Sequence, residues 1–257
     1  MHAHHHPGRH ELGQNFLVDR STIDTFTRLV ADTRGPILEI GPGDGALTLP
    51  LQRLGRALTA VEIDGRRAAR LRDRTGPATT VVTADFLRYP APGNPYVVVG
   101  NLPFHATTAM LRGILRAPAW TDAVLLVQWE VARRRAGVGG ATLMTAQWWP
   151  WYEFRLVGRV PANAFRPRPN VDGGLLTMAR RRRPLVAERD RAAYQDMVAR
   201  VFNGRGRGLA RIVGHALPEL PRRTVDGWLR GHRVPAAALP KNITAEQWAD
   251  LHALRRR

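Results

Sequence analysis

Cysteine is absent from the 257 residues, which excludes a disulfide framework and thiolate metal sites. Lysine is almost absent too: Lys241 is the single one, so arginine supplies nearly all of the positive charge. Acids are scarce, 21 Asp and Glu against 39 Lys and Arg, giving a formal net charge of +18 and a pI near 11.7. No stretch approaches the roughly 18 consecutive apolar residues needed to cross a bilayer, and no membrane partner is expected. The first residues, Met1-His2-Ala3-His4-His5-His6, lack the apolar core of a secretory leader, so the expected location is the cytoplasm.

The composition is 44% hydrophobic, ordinary for a globular protein, and the length suits one large or two modest domains. An excess of cations this large suits a polyanionic partner, of which nucleic acid is the commonest. Arginine grips phosphate with two parallel hydrogen bonds and stacks on bases, which favours that partner. A GC-rich coding sequence explains the choice of arginine over lysine, but not the surplus over the acids. Five of the nine histidines fall in the first ten residues and read as a tail, residues 1–12, rather than a metal site.

Apolar and amphipathic stretches alternate over the first 180 residues or so. Ile23, Phe26, Leu29 and Val30 share one face of a helix. Ile37–Ile40 reads as a buried strand, followed by a helix through Leu47, Leu51 and Leu54 and a strand over Leu58–Ile63. A helix over Asp64–Arg74, strands at Thr79–Ala84 and Pro95–Gly100, and a helix at Thr107–Arg116 continue the alternation. A strand at Val124–Gln128, a helix from Glu130 to Ala136 and strands at Tyr152–Val160 and Val171–Met178 complete it. Such alternation predicts an α/β fold with a parallel, doubly wound sheet and ligands at the carboxyl ends of its strands. Arg180–Pro184, four arginines and a proline, marks a change of texture. Beyond it only helical patterns recur: Ala192–Phe202, Leu209–Ala216, Val225–Leu229 and Ala245–Leu254. The expected domains are therefore 13–182 and a small all-helical 183–257.

The chemistry-bearing residues sit at predicted strand ends. After the first strand comes Glu39-Ile40-Gly41-Pro42-Gly43-Asp44-Gly45. Alternate glycines let a ligand pass close to the backbone, but the spacing is G-x-G-x-G, not the G-x-G-x-x-G of dinucleotide sites. Glu39 and Asp44 would repel a pyrophosphate and suit a cofactor bearing an amino group and a sulfonium, as S-adenosylmethionine does. Glu62, about 20 residues after the first glycine, stands where a carboxylate accepts from ribose hydroxyls, with Asp64 as the cap of the next helix. Asp85, after Ala84 and before Phe86, either caps a turn or accepts from an adenine amine against the Phe86 ring. At the fourth strand end lies Asn101-Leu102-Pro103-Phe104. The asparagine oxygen and the Leu102 carbonyl can accept two hydrogen bonds from the exocyclic amine of a base. Pro103 stiffens the turn and Phe104 offers a stacking face.

In this order the motifs resemble the rRNA adenine N6-dimethyltransferases, a family that includes the Erm antibiotic-resistance enzymes and the small-subunit dimethyladenosine transferases. The resemblance runs from Gly13-Gln14-Asn15-Phe16-Leu17 through the motifs above and Gln128-Trp129-Glu130-Val131-Ala132 to Phe165–Asp172. It implies a Rossmann-like methyltransferase fold with a helical C-terminal domain that binds RNA. It implies cofactor contacts from Gln14, Asn15, Leu17, Gly41, Gly43, Glu62, Ile63, Asp85, Phe86 and Asn101. S-adenosylmethionine would be consumed to S-adenosylhomocysteine, and no metal is required. The target base would meet Asn101, Leu102, Pro103 and Phe104, where relatives often carry tyrosine in place of Phe104. Asparagine cannot act as a base, so methyl transfer would rest on positioning and electrostatics.

The stretch Val201–Leu209, with Gly204, Gly206 and Gly208 alternating with Arg205 and Arg207, resembles Erm proteins of actinomycetes. Asp172-Gly173 departs from the Asp-Ser common in the small-subunit group. The expectation is a monomeric enzyme acting on one adenine in the peptidyl-transferase loop of 23S rRNA, with macrolide–lincosamide–streptogramin B resistance as the outcome. A 16S rRNA enzyme of small-subunit assembly and a non-catalytic RNA-binding scaffold are the alternatives; the intact Asn101, Glu62 and glycines argue against the scaffold. Arg133, Arg134, Arg135, Arg166 and Arg168 are candidate phosphate contacts. Trp148, Trp149 and Trp151 read as core rather than as a stacking surface.

Overall fold

The computed structural model describes residues 15–255, and Gln14 and the histidine-rich start lie outside the described residues. A two-residue strand, β1 (Phe16–Leu17), leads into α1 (Arg20–Ala31), β2 (Ile37–Ile40), the short α2 (Thr48–Leu51) and β3 (Leu58–Glu62). Then come α3 (Gly65–Arg72), β4 (Thr79–Thr83), β5 (Tyr96–Asn101), α4 (Thr107–Arg116) and β6 (Trp120–Gln128). The chain continues through α5 (Trp129–Arg135), α6 (Leu143–Trp148), β7 (Tyr152–Val160), β8 (Phe165–Arg166) and β9 (Gly173–Arg180). Four helices follow: α7 (Arg191–Phe202), α8 (Leu209–Ala216), α9 (Arg222–Gly231) and α10 (Ala245–Leu254).

The main sheet has the order β4-β3-β2-β5-β6-β9-β7, with parallel pairing of β4 to β3, β3 to β2, β2 to β5 and β5 to β6. The order steps outward from β2 toward β4, then jumps back to place β5 on the other side of β2. Each jump needs a crossover, so the strand ends flanking β2 open a crevice. All four residues of β2 are buried, as are the first five of β5, because helices cover both faces of a parallel sheet. Alternation then sorts the side chains. Ile37, Leu58, Val97, Val99, Val124 and Leu126 join Phe26 and Val30 of α1 in one apolar cluster. Leu38, Ile40, Val98 and Leu125 are buried outside that cluster.

Local signals set α1. Asp19 caps it by accepting from Thr22 N at 2.8 Å, and Phe26 and Val30, four residues apart, point to the core. The small sheet β1–β8 was not legible in the sequence, since two residues carry no periodicity. It pairs Phe16 with Arg166 and Leu17 with Phe165, antiparallel. The six-residue α6 was likewise not expected.

Packing divides the described chain into two units: residues up to Ala132 with Leu156–Met178, and Arg133–Arg155 with Ala179 onward. Within the second unit, Tyr194 of α7 donates to the Ala146 carbonyl at 2.8 Å, and Trp151 meets its ring edge-on at 5.4 Å. Gln147 and Gln195 exchange side-chain to backbone hydrogen bonds in both directions. Trp148 and Trp151 are buried and Trp149 half-buried, which agrees with their reading as core. No described helix is long and apolar enough to cross a membrane.

Phe26 is completely buried in the main cluster. Phe26→Ala is expected to lower unfolding stability by roughly 3–5 kcal/mol, through lost burial plus the cavity left behind. Urea unfolding of the two proteins checks this, and a loss near zero would contradict the packing described.

Candidate active site

The pairing registers bring four strand ends level. Ile40 lies beside Val61 and Gly100, Glu62 beside Thr83, and Asn101 beside Leu126. The loop after β2 starts with Gly41 N–H donating to the Val61 carbonyl at 3.0 Å. Gly43 has φ +54°, and a Cβ there would stand 2.9 Å from the Phe16 ring. Both facts require glycine: the backbone is left-handed and an aromatic face lies directly against it.

Glu62 holds this loop in place. Its Oε2 accepts from Gly43 N at 2.9 Å and its Oε1 accepts from Asp64 N at 2.9 Å. Hydrogen bonds to a carboxylate of this kind are each worth about 2 kcal/mol. Asp64 caps α3, accepting from Arg66 N at 2.8 Å and Arg67 N at 3.2 Å, as its position in the sequence suggests. Asp85 also caps: its Oδ1 accepts from Leu87 N at 2.9 Å, leaving the second oxygen for another donor. The helix-cap alternative for Asp85 is therefore realised, and a ligand contact would have to share the same carboxylate.

The strand ends form a cleft lined by Gly41, Gly43, Glu62, Ile63, Asp85, Phe86 and Asn101 through Phe104. Asn15 and Phe16 from the N-terminal strap and Met110 from α4 complete the wall. Acidic oxygens from Glu62 and Asp85 lie among apolar surfaces from Ile63, Phe86 and Leu102. That donor set suits a ligand with hydroxyl and amine donors and a flat ring. Among the described residues no group of His, Asp and Glu could hold a metal ion.

Asn101 ends β5. Gly100 before it is held so close to β2 that a Cβ would stand 2.7 Å from the Ile40 carbonyl. The Asn101 side chain donates from Nδ2 to the Asn15 carbonyl at 2.7 Å. A carbonyl can only accept, so the amide nitrogen faces Asn15 and Oδ1 is the atom left to receive a donor. Leu102 N–H is bonded to the Leu126 carbonyl at 2.9 Å. The Pro103 carbonyl accepts from Ala106 N and from Thr107 Oγ1, both at 3.0 Å, which fixes the turn. Phe104 is half-buried and meets Phe165 edge-on at 6.2 Å.

Glu39 is the residue whose state the sequence did not foretell. It is 1% exposed, and burial, with the neighbouring Glu62 carboxylate adding to it, pushes its carboxyl up to about 8. The group is protonated in the folded protein at neutral pH, so it is not the anion that its place before the glycines suggests. It lines a depression that adjoins the cleft, the two sharing Phe16, Gly41 and Asn101.

Other expectations fare differently. Leu17 lines the depression beside Glu39 rather than the cleft itself; it is 3% exposed and packs in the core cluster with Phe165, while Phe16 lines both. Arg133, Arg134 and Arg135 belong to the second unit, where Arg135 donates to Thr142 Oγ1 and the Arg134 carbonyl accepts from Thr145 Oγ1. Arg166 and Arg168 are exposed, and the Arg166 guanidinium donates to the Asn163 and Phe165 carbonyls of its own loop. Asp172 was noted only as part of a motif. It accepts from Ala162 N at 2.7 Å and from Arg159 Nε at 2.5 Å, and these bonds hold its carboxyl below the usual range.

A seven-stranded doubly wound sheet, a glycine loop tied to an acid at the next strand end and an Asn-Leu-Pro-Phe turn at the fourth define a Rossmann-like methyltransferase. The family described as Ribosomal RNA adenine dimethylase matches residues 5–254. An rRNA adenine N-6-methyltransferase of Corynebacterium diphtheriae is 57% identical over 214 residues, covering 83% of this chain and 84% of the relative. The mycinamicin-resistance protein MyrB of Micromonospora griseorubida is 50% identical over 250 residues, covering 97% and 79%. The crystal structure of the 23S rRNA methyltransferase ErmE superposes with a TM-score of 0.87 at 35% identity, covering 95% of this chain and all of that one. The chain belongs to the ribosomal RNA adenine dimethylase family.

The Glu39 carboxyl gives a pH signature. Its ordinary value is 4.5 and its folded value about 8, so its contribution to stability is complete below 4.5 and is lost as pH rises through 8. Glu39→Gln removes that loss. The melting temperature of the variant relative to the native protein is expected to climb steadily between pH 5 and 8.5. Thermal melts across that range check it, and parallel curves would contradict the assignment.

Proposed function

We propose that this protein transfers methyl groups from S-adenosylmethionine to N6 of one adenine in the peptidyl-transferase loop of 23S rRNA. The expected outcome is macrolide–lincosamide–streptogramin B resistance in a cytoplasm where the enzyme works as a monomer. The observation that carries the reading is the Asn101 amide, anchored through Nδ2 so that Oδ1 is left to accept from an amine. The resistance activity of MyrB and the 23S rRNA activity of ErmE, as their names state them, support the choice of substrate.

The cleft fits the cofactor by the chemistry of its walls. Glu62 would accept from ribose hydroxyls, Asp85 from the adenine amine, and Ile63 and Phe86 would flank the ring. Asn15 and the Gly41–Gly43 loop would meet the methionine part. When bound, the cofactor supplies an electrophilic methyl group on a positively charged sulfur.

The residues of this chain do the positioning. The lone pair of adenine N6 is delocalised into the ring, so the amine is a poor nucleophile. Hydrogen bonds from its two N–H groups to Asn101 Oδ1 and the Leu102 carbonyl draw the nitrogen toward a pyramidal shape, with its lone pair free to face the methyl group. Phe104 stacks on the base, and Pro103 keeps the two acceptors at a fixed separation. Asn101 removes no proton; the product nitrogen is acidic enough to lose one to water. Exposed Arg134, Arg166 and Arg168, with Arg133 and Arg135, would contribute phosphate contacts, and binding would weaken steeply with salt.

Labelled methyl transfer to deproteinised 23S and 16S rRNA, with the modified base mapped by primer extension, tests the reading. A single stop in the 23S peptidyl-transferase loop is expected; label in 16S rRNA would move the protein to small-subunit assembly, and no label would leave an RNA-binding scaffold. Asn101→Ala is expected to lower the rate roughly 100- to 1,000-fold, the range for loss of one oriented polar group, while cofactor binding changes little.

A further inference from the structure

Three segments meet around one half-buried arginine. Arg67 lies in the first turn of α3, and its guanidinium stands over the Phe16 ring, 4.3 Å from the centroid. Its Nη1 is 2.8 Å from Asp44 Oδ1 in the glycine loop, and its Nε is 3.6 Å from Asp64 Oδ2. The side chain keeps 22% of its exposure, whereas Arg70, one turn on, keeps 69%.

Phe16 is the strap residue that lines the cleft and presses on Gly43. Its neighbour Asn15 supplies the carbonyl that holds the Asn101 amide. β1 is only two residues long and pairs with an equally short β8; Leu17 is buried, and Val18 N and Asp19 N donate to the Ala164 carbonyl at 2.8 and 3.3 Å, so the backbone bonds of the strap run to the β8 side. A guanidinium over the Phe16 ring and paired with the Asp44 carboxylate adds a restraint on the Phe16 side chain itself.

We propose that Arg67 is a latch: a positioning residue that clamps Phe16 between its guanidinium and Gly43 and so closes the strap over the cofactor cleft. The inference rests on the cofactor reading above and adds a residue that touches neither cofactor nor base. Arg67 is not among the residues that line the cleft, so its effect passes through Phe16 and Asp44. Loosening it frees the strap, and the cofactor is held less tightly.

Calorimetric binding of S-adenosylhomocysteine to the full chain tests the latch. Arg67→Met keeps the apolar stem and removes the charge. Binding is expected to weaken roughly 5- to 20-fold, the scale of a partly desolvated cation–π contact with an ion pair. Amide exchange should quicken at Phe16, Leu17 and Val18 while that of β2 is unchanged. KM for S-adenosylmethionine should rise and KM for rRNA stay constant. Arg67→Lys, which keeps a cation over the ring, should recover most of the loss, and Arg66→Met on the exposed side of α3 should bind as the native protein does. Phe16→Leu should weaken binding similarly, and the double variant Arg67→Met/Phe16→Leu no more than either alone.

Binding by Arg67→Met within twofold of the native protein would overturn the latch while leaving the cofactor reading intact. A loss confined to KM for rRNA would overturn it also, making Arg67 a phosphate contact. No binding of S-adenosylhomocysteine by the native protein would overturn the cofactor reading and the latch together.

Discussion

Glu62 ends β3 fully buried, and each of its carboxylate oxygens accepts one backbone N–H, from Gly43 and from Asp64. The two donors belong to the two loops that frame the cleft. A single side chain thus sets the shape of the glycine loop and the start of α3, and everything placed by those loops follows. Gly43 carries Phe16, the start of α3 carries Arg67, and the strap ahead of Phe16 carries the carbonyl that orients Asn101. Removing the carboxylate would leave the buried Gly43 N–H and the half-buried Asp64 N–H unmatched, which costs more than the bonds themselves are worth.

The neighbouring Glu39 shows how burial sorts two acids that look alike in the sequence. Glu62 is matched by backbone donors, whereas Glu39 Oε2 has no hydrogen-bond partner among the described residues. Burial disfavours the charged form of Glu39 and the neighbouring Glu62 adds to it, outweighing the Thr48 hydroxyl that favours it, so Glu39 is held neutral. The pair therefore offers one anchoring acid and one neutral one beside the glycine loop.

The arginine surplus is also divided in its use. Arg56 donates to the Gly35, Val30 and Thr33 carbonyls, Arg74 to the Asp44 carbonyl, and Arg181 to the Trp149 carbonyl and Glu153. Glu219 is shared by Arg200 and Arg255. Arginine has five donors in a planar fork, so it fastens loops to one another as readily as it grips phosphate. The net charge of +18 remains a footprint for a polyanion, but part of the arginine content is internal fastening, and composition cannot distinguish the two uses.

The strands were legible from their apolar runs, and the acids and glycines at their ends from their spacing, because a doubly wound sheet puts ligands at those ends. Ile37–Ile40, Thr107–Arg116 and Ala245–Leu254 fall where periodicity places them. Asn101-Leu102-Pro103-Phe104 stands out as a candidate base site from residue types alone. Tertiary structure decided what depends on pairing across distance. The two-residue β1 and β8 have no pattern of their own, yet their register turns Leu17 into the core and Phe16 onto Gly43. The direction of the Asn101 amide, the neutral state of Glu39 and the place of Arg67 over Phe16 are likewise contacts between residues far apart in the chain. Local sequence sets propensity and period; which partner a side chain finds, and so its charge and orientation, is settled only when the chain is folded.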